Sequence, residues 1–279
     1  MTDVREVAPA PNRQDRSGPI GQGDFIWYEL MTSDADAAGR FYSAVIPGWN
    51  FGSKMPGDVN YRGIERSDGG NAGGVLQLDD SMRTHGARPI WLGYVHVTDV
   101  DDAVASIEKA GGKALMPAFD VPSVGRIAMV ADPQGAAFYV MKPIPPAGKP
   151  DAASDVFSPT ATERMSWNEL NTSDPDGARR FYGDLFGWIS DEFMPMGEMG
   201  EYRFLDHHGV RIGALCGLMG QSHPKWRFYI RVPSIAAARS AIEANGGKVV
   251  NGPHQVPGDD WIVIGIDPQG AEFALVGGE

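Results

Sequence analysis

The sequence predicts an α+β protein of two tandem modules, each built from paired βαβββ units that form a curved mixed sheet around a cavity. Three observations predict it. The order W-Y-E-L-M-T-S-D, R-F-Y, G-W from Trp27 to Trp49 returns as W-N-E-L-N-T-S-D, R-F-Y, G-W from Trp167 to Trp188, which chance does not produce. Short apolar runs rich in aromatic and β-branched residues alternate with helical patterns. Gly, Pro, Asp and Asn sit between those runs, as turns require.

The first unit illustrates the reading. Phe25 to Met31 is expected to be a strand, and Asp34 supplies an N-cap oxygen to a helix that places Ala37, Ala38, Phe41, Tyr42 and Val45 on one face. Pro47-Gly48 stops that helix. Strands follow over Trp49 to Lys54, Tyr61 to Glu65 and Gly74 to Leu78. The second unit repeats the order with strand Trp91 to Val97, helix Asp101 to Ala110 closed by Gly111-Gly112, and strands near Ala114, Ile127 and Phe138. Helices near Asp176 to Leu185 and Ile235 to Ala244 do the same in the second copy.

The copies align closely. Glu29 matches Glu169 and Phe41-Tyr42 matches Phe181-Tyr182 at one offset; Trp91 matches Trp226 and Asp132-Pro-Gln-Gly135 matches Asp267-Pro-Gln-Gly270 at a slightly shorter one. Expected boundaries are an N-terminal disordered tail over 1–23, modules over 24–143 and 165–279, and a solvated linker over 144–164 whose Pro-rich and polar composition favours extension over packing.

A hydrophobic fraction of 42% over 279 residues suffices for two cores. The net charge of -12 opposes phosphate backbones and argues against nucleic acid. A single cysteine, Cys216, excludes an internal disulfide and reads as a small buried apolar residue. No stretch is apolar enough for a signal or a membrane span, so no membrane partner is expected and the expected compartment is the cytoplasm.

The L-x-x-x-D pattern followed by F-Y and G-W, with D-P-x-G before a closing strand, resembles the vicinal oxygen chelate superfamily of glyoxalase I, extradiol dioxygenases and bleomycin-resistance proteins. The repeated W-x-E-L-x-T-x-D opening is similar to two-module, glyoxalase-like proteins of actinobacteria of the hydroxylase or antigen type. This resemblance covers roughly residues 25–143 and 165–277 and implies lyase, hydroxylase or dioxygenase chemistry, commonly on a divalent metal held by His, Gln or Glu. It also implies that the contact other members make by dimerising can form within this one chain, as a monomer or in a homodimer.

Carried onto this sequence, the family ligand positions fall at Trp27, about Leu92, about Tyr139 and near Gln77, and in the second copy at Trp167, Arg227, Ala274 and Gly217. Indole and aliphatic groups do not ligate cations, so no family-type metal site and no cofactor are expected. In an alternative register Glu29 and Glu169 would be shifted ligands of Zn, Fe, Ni or Mn.

Strand alternation puts Trp27 and Glu29, and likewise Trp167 and Glu169, on the same sheet face. A carboxylate in an apolar cup is a candidate general base, Glu29 in one module and Glu169 in the other. The structural alternative is that each Glu binds backbone N–H groups or an Arg and fixes the strand–helix junction. Trp27, Trp167, Tyr94, Tyr229, Tyr61 and Tyr202 are expected to line the cups, with His96 and Arg231 as ligand contacts. Met-rich segments at Met55 and Met194 to Met199 are suited to cover a cavity mouth, and His207-His208 reads as an exposed hairpin turn.

Three functional readings follow: a metal-free protein that binds a small hydrophobic or aromatic metabolite and either sequesters or modifies it, a metal-dependent lyase, epimerase or dioxygenase, and a non-catalytic recognition protein or antigen.

Overall fold

A computed structural model describes residues 20–145, 148 and 153–279. Residues 1–19 of the expected 1–23 tail and part of the expected linker lie outside these residues. Each copy forms one eight-stranded mixed sheet. The first contains β1 (Phe25–Thr32), β2 (Asn50–Phe51), β3 (Tyr61–Glu65), β4 (Asn71–Gln77), β5 (Ile90–His96), β6 (Lys113–Val121), β7 (Gly125–Ala131) and β8 (Ala137–Pro143). The second contains β9 (Met165–Asn171), β10 (Phe193–Pro195), β11 (Glu201–His207), β12 (Val210–Cys216), β13 (Lys225–Ser234), β14 (Lys248–Gln255), β15 (Trp261–Ile266) and β16 (Glu272–Gly278). Their orders, β2-β3-β4-β1-β5-β8-β7-β6 and β10-β11-β12-β9-β13-β16-β15-β14, are identical. In each, two βαβββ units join edge to edge through an antiparallel pair, β1 with β5 and β9 with β13.

The helices are α1 (Ala35–Val45), α2 (Asp80–Thr84), α3 (Val100–Lys109), α4 (Pro175–Phe186) and α5 (Ile235–Ala244). Each long helix opens on a side-chain cap that satisfies an otherwise unpaired N–H. Asp34 Oδ1 accepts from Ala37, Asp99 Oδ1 from Asp102, Asp174 Oδ1 from Gly177, and Ser234 Oγ from Ala237. Gly187 ends α4 at φ 71°, a left-handed conformation that glycine adopts without penalty.

Two departures from expectation are local. The strand expected over Trp49 to Lys54 is regular only at Asn50–Phe51, and beyond it contact with β3 continues through single bonds, Gly52 N–H to Gly63 O and Met55 N–H to Tyr61 O. The short helix α2 has the cap its sequence encodes, Asp79 Oδ1 accepting from Met82 N–H, but no apolar periodicity to announce it.

The helix-facing sides of both sheets share one continuous core, whereas the opposite face of each sheet carries its own smaller cluster. Across the shared core the copies grip each other reciprocally. Tyr42 of α1 donates to Asp267 Oδ2 (3.1 Å), and Tyr182 of α4 donates to Asp132 Oδ2 (3.1 Å). Trp91 and Trp226 donate indole N–H groups to those same tyrosine oxygens, at 3.0 and 3.1 Å. The other carboxylate oxygen folds its own turn: Asp132 Oδ1 accepts from Gln134, Gly135 and Ala136, and Asp267 Oδ1 from Gln269 and Ala271. D-P-Q-G is therefore a turn, as its residues indicate, and also half of an inter-module bond. The G-W tryptophans complete the contact, Trp49 donating to Glu163 O and Trp188 to Gly23 O.

The segment after the undescribed linker residues packs against the modules, contrary to the solvated state expected for it. Val156 is buried, Ser154 donates to Ile26 O, and Glu163 accepts from Ser67 N and Oγ. No helix among the described residues is long and apolar enough to cross a membrane.

Tyr42→Phe would leave both Trp91 N–H and Asp267 Oδ2 buried without this partner, and Tyr182→Phe would do the same on the other side. Each substitution is expected to lower stability by about 1–3 kcal/mol in urea denaturation, with the module interface loosening first in hydrogen exchange.

Candidate functional site

The register of β1 with its neighbours decides which side chains meet on the face of the first sheet opposite its helices. Trp27 lies opposite Tyr94, and Glu29 opposite both Leu92 and Gly74. Tyr94 in turn lies beside Tyr139. Because side chains alternate, Trp27, Glu29 and Met31 share this face while Tyr28 and Leu30 enter the common core. Gly74 makes room: a Cβ there would stand 2.0 Å from the Tyr61 hydroxyl.

The result is a carboxylate ringed by phenols. Glu29 is 3% exposed, and its Oε2 accepts from Tyr94 Oη at 2.9 Å. Tyr94 stacks on Tyr139 with ring centroids 4.2 Å apart, and Trp27 donates its indole N–H to Tyr61 Oη at 2.7 Å. Glu29 Oε1 is buried and finds no hydrogen-bond partner among the described residues. Burial pushes the Glu29 carboxyl up to about 7, against the opposing pull of the Tyr94 and Tyr61 hydroxyls. Burial first, and the Glu29 charge second, raise the Tyr61, Tyr94 and Tyr139 phenols well above their usual range.

The second module repeats the frame with different occupants. Trp167 donates to Tyr202 Oη (2.8 Å), and Glu169 Oε2 accepts from Tyr202 (2.8 Å) and Tyr229 (3.1 Å). Where the first module has Leu92, the second has Arg227, which donates to Glu169 Oε1 at 2.5 Å and to Glu272 Oε1 at 2.9 Å. Lys225 closes the array on Glu272 Oε2 at 2.8 Å. Its charged partners hold the Arg227 guanidinium firmly protonated despite burial. Glu169 is thus saturated by a cation and two phenols, which is the structural alternative, while the Glu29 carboxylate has no cation among its hydrogen-bond partners.

His96 and Arg231 both point to the face opposite Val95 and Val97 or their equivalents, but their surroundings differ. Arg231 is held by a two-pronged pair with Asp260 (3.0 and 2.7 Å) and by Ser166 Oγ (3.1 Å), so its donors are committed within the protein. His96 is half-buried. Tyr61 and Tyr202 lie on strands β3 and β11, so their hydroxyls belong to the carboxylate networks and the Met-bearing segments merely precede them. Glu272 enters its network unannounced; Tyr139 and Arg227 stand in the sequence only as positions where the resemblance expects a metal ligand, and the strand register gives them their places beside Tyr94 and Glu169 instead. Cys216 is buried, and burial pushes its thiol up to about 12.

The donor set does not suit the family's divalent metal. The first network offers one carboxylate and neutral phenols, and the second places the Arg227 guanidinium against its carboxylate. Gln77, aligned above with a ligand position, faces away: its Oε1 accepts from Ala35 N–H at the start of α1 and from Asn60 Nδ2.

Arg227→Leu, which copies the first module, would strip the cation from the buried Glu169 and leave Glu272 with Lys225 alone, and is expected to cost about 3–5 kcal/mol in urea denaturation. Adding Glu169→Gln should recover a large part of that loss.

A sequence profile described as the Glyoxalase/Bleomycin resistance protein/Dioxygenase superfamily matches residues 25–140. "Putative glyoxylase CFP32" of Mycobacterium tuberculosis (strain CDC 1551 / Oshkosh) is 30% identical over 260 residues, 91% of this chain and 95% of that protein. "Anthracycline biosynthesis protein DauV" of Streptomyces sp. (strain C5) is 30% identical over 262 residues, 90% of this chain and 91% of its own length. Among solved structures, the Mn(II)-bound glyoxalase from Novosphingobium aromaticivorans superposes with a TM-score of 0.59 at 16% identity, over 94% of this chain and 83% of that one. Homoprotocatechuate 2,3-dioxygenase from Arthrobacter globiformis gives 0.62 at 16% identity, over 93% and 80%. With the duplicated βαβββ sheets and the full-length similarity to CFP32, the chain belongs to the glyoxalase/bleomycin resistance protein/dioxygenase superfamily.

Proposed function

We propose that the chain binds and modifies a small hydrophobic or aromatic metabolite in its first module, in the cytoplasm, with Glu29 as general base and without the superfamily's usual metal. One observation carries this reading: Glu29 is a buried carboxylate whose Oε1 has no hydrogen-bond partner among the described residues, while its copy Glu169 is saturated by Arg227, Tyr202 and Tyr229. A relative named for anthracycline biosynthesis agrees with small-molecule chemistry.

In this mechanism Glu29 Oε1 takes a proton from a hydroxyl or from a C–H beside a carbonyl and returns it to another atom of the same molecule. The enzyme ends in its starting protonation state. Tyr94 stays bonded to Oε2 and fixes the carboxylate plane. The stacked Tyr94 and Tyr139 rings offer a flat apolar wall, and Trp27 holds Tyr61 in place. A base that titrates near 7 is matched to proton transfer at neutral pH. The second module is a scaffold in this reading, and a monomer contains everything the site needs.

In a thermal-shift screen of small aromatic ketones and phenols, a compound that stabilises the wild type should lose its effect on Glu29→Gln and keep it on Glu169→Gln. Turnover should rise with pH through about 7, because the base acts in its ionised form. Equal loss in both variants would contradict the assignment to one module, and tight stoichiometric Mn(II) or Zn(II) binding that Glu29→Gln abolishes would contradict the metal-free reading.

The raised carboxyl also sets a stability signature. Below pH 4.5 Glu29 is protonated folded and unfolded; between 4.5 and about 7 only the unfolded chain ionises, so this group's contribution to stability falls as pH rises, by up to about 3 kcal/mol. Glu29→Gln removes that loss, so the stability difference between variant and wild type in denaturant titrations should grow from pH 5 to pH 8 in the variant's favour.

A further inference from the structure

We infer that the junction between the modules carries a divalent-cation site made by Asp24, His207 and His208. One ligand atom from each lies within 4.8 Å of the others, a spacing that one ion can bridge. Asp24 stands at the entry to β1 of the first module, whereas His207 ends β11 of the second and His208 follows it in the turn, so neither module has the site alone. It lies apart from the Glu29 and Glu169 networks and uses residues that the expected exposed turn did not single out: His207 is buried, and only His208 is exposed.

The backbone builds this cluster. His208 and Gly209 both have positive φ, 49° and 78°, as a two-residue hairpin turn between β11 and β12 requires. Glycine or asparagine meets that requirement at less cost than histidine, yet the turn lays the His208 ring 4.0 Å from that of His207. Across the junction His207 Nε2 lies 3.4 Å from Asp24 Oδ1, and Asp24 Oδ2 is oriented by the Gly21 N–H. Gly23, at φ 89°, permits the approach: a Cβ there would meet His207 Cε1 at 3.0 Å and Phe186 O at 2.5 Å. Trp188 Nε1 holds the same residue by its carbonyl at 2.7 Å. A crevice lined by Ile20, Ile26, Ser154 and Ile212 opens beside the cluster and gives an ion a route from solvent.

Two imidazoles and one carboxylate form a nitrogen–oxygen set for a borderline ion such as Zn(II), Ni(II) or Co(II), with the remaining positions open to water. Because the ligands come from both modules, a bound ion would clamp the start of the first to the β11–β12 hairpin of the second and stabilise the folded chain by mass action.

The test uses the full chain, stripped with EDTA and titrated with Zn(II) by calorimetry, alongside thermal unfolding with and without the metal. The expected result is one equivalent bound and a rise in Tm. His208→Asn, whose side chain tolerates positive φ, should keep the metal-free Tm and lose at least tenfold in affinity. His207→Gln should also lose the site, and Glu29→Gln should retain it. Absence of one-equivalent binding to the wild type, binding that His208→Asn leaves unchanged, or binding lost in Glu29→Gln would each overturn the proposal.

Discussion

The reciprocal bonds from Tyr42 to Asp267 and from Tyr182 to Asp132 join the two modules, and much of the molecule is arranged around them. A buried phenol and a buried carboxylate are each costly alone; together, with an indole N–H on the phenol and backbone N–H groups on the far carboxylate oxygen, almost every polar atom is satisfied. The bond forms only if a helix of one module and a turn of the other meet in a fixed register. It thereby places both sheets with their helix faces inward and their carboxylate-bearing faces outward. R-F-Y and D-P-Q-G recur together because each copy supplies one half of each bond.

With that frame duplicated, the two carboxylates differ through a few neighbours. Leu92 and Ala137 in one sheet stand where Arg227 and Glu272 stand in the other. A guanidinium 2.5 Å from Glu169 makes an internal ion pair; an aliphatic side chain opposite Glu29 leaves burial to dominate and raises its carboxyl to about 7. Duplication preserved the scaffold while the residues around each carboxylate diverged, which is the usual relation between fold and site.

The helices, their caps and most strands were readable because local signals encode them: Asp34, Asp99, Asp174 and Ser234 cap, Gly187 terminates, and the aromatic runs alternate. The site was readable in part. Alternation placed Trp27 beside Glu29 on one face, but pairing Glu29 with Leu92 and Tyr94 with Tyr139 depends on register between strands far apart in sequence. Gln77 shows how sharp that dependence is, since a single step along the strand turned an expected cup residue toward a helix. His207 was misread for a similar reason: its turn composition indicated exposure, and burial came from Gly23 and Asp24 packing on it from the other module.

By itself, then, the sequence determined the duplication, the βαβββ order and the pairing of a tryptophan with a glutamate in each copy, because hydrophobic periodicity and turn chemistry act over a few residues. Only the tertiary structure decided that Glu169 is neutralised by Arg227 while Glu29 is not, and that Asp24 meets two histidines across the module junction. Those outcomes rest on distances of a few ångströms between residues far apart along the chain, and such distances exist only once the sheets and the module interface have closed.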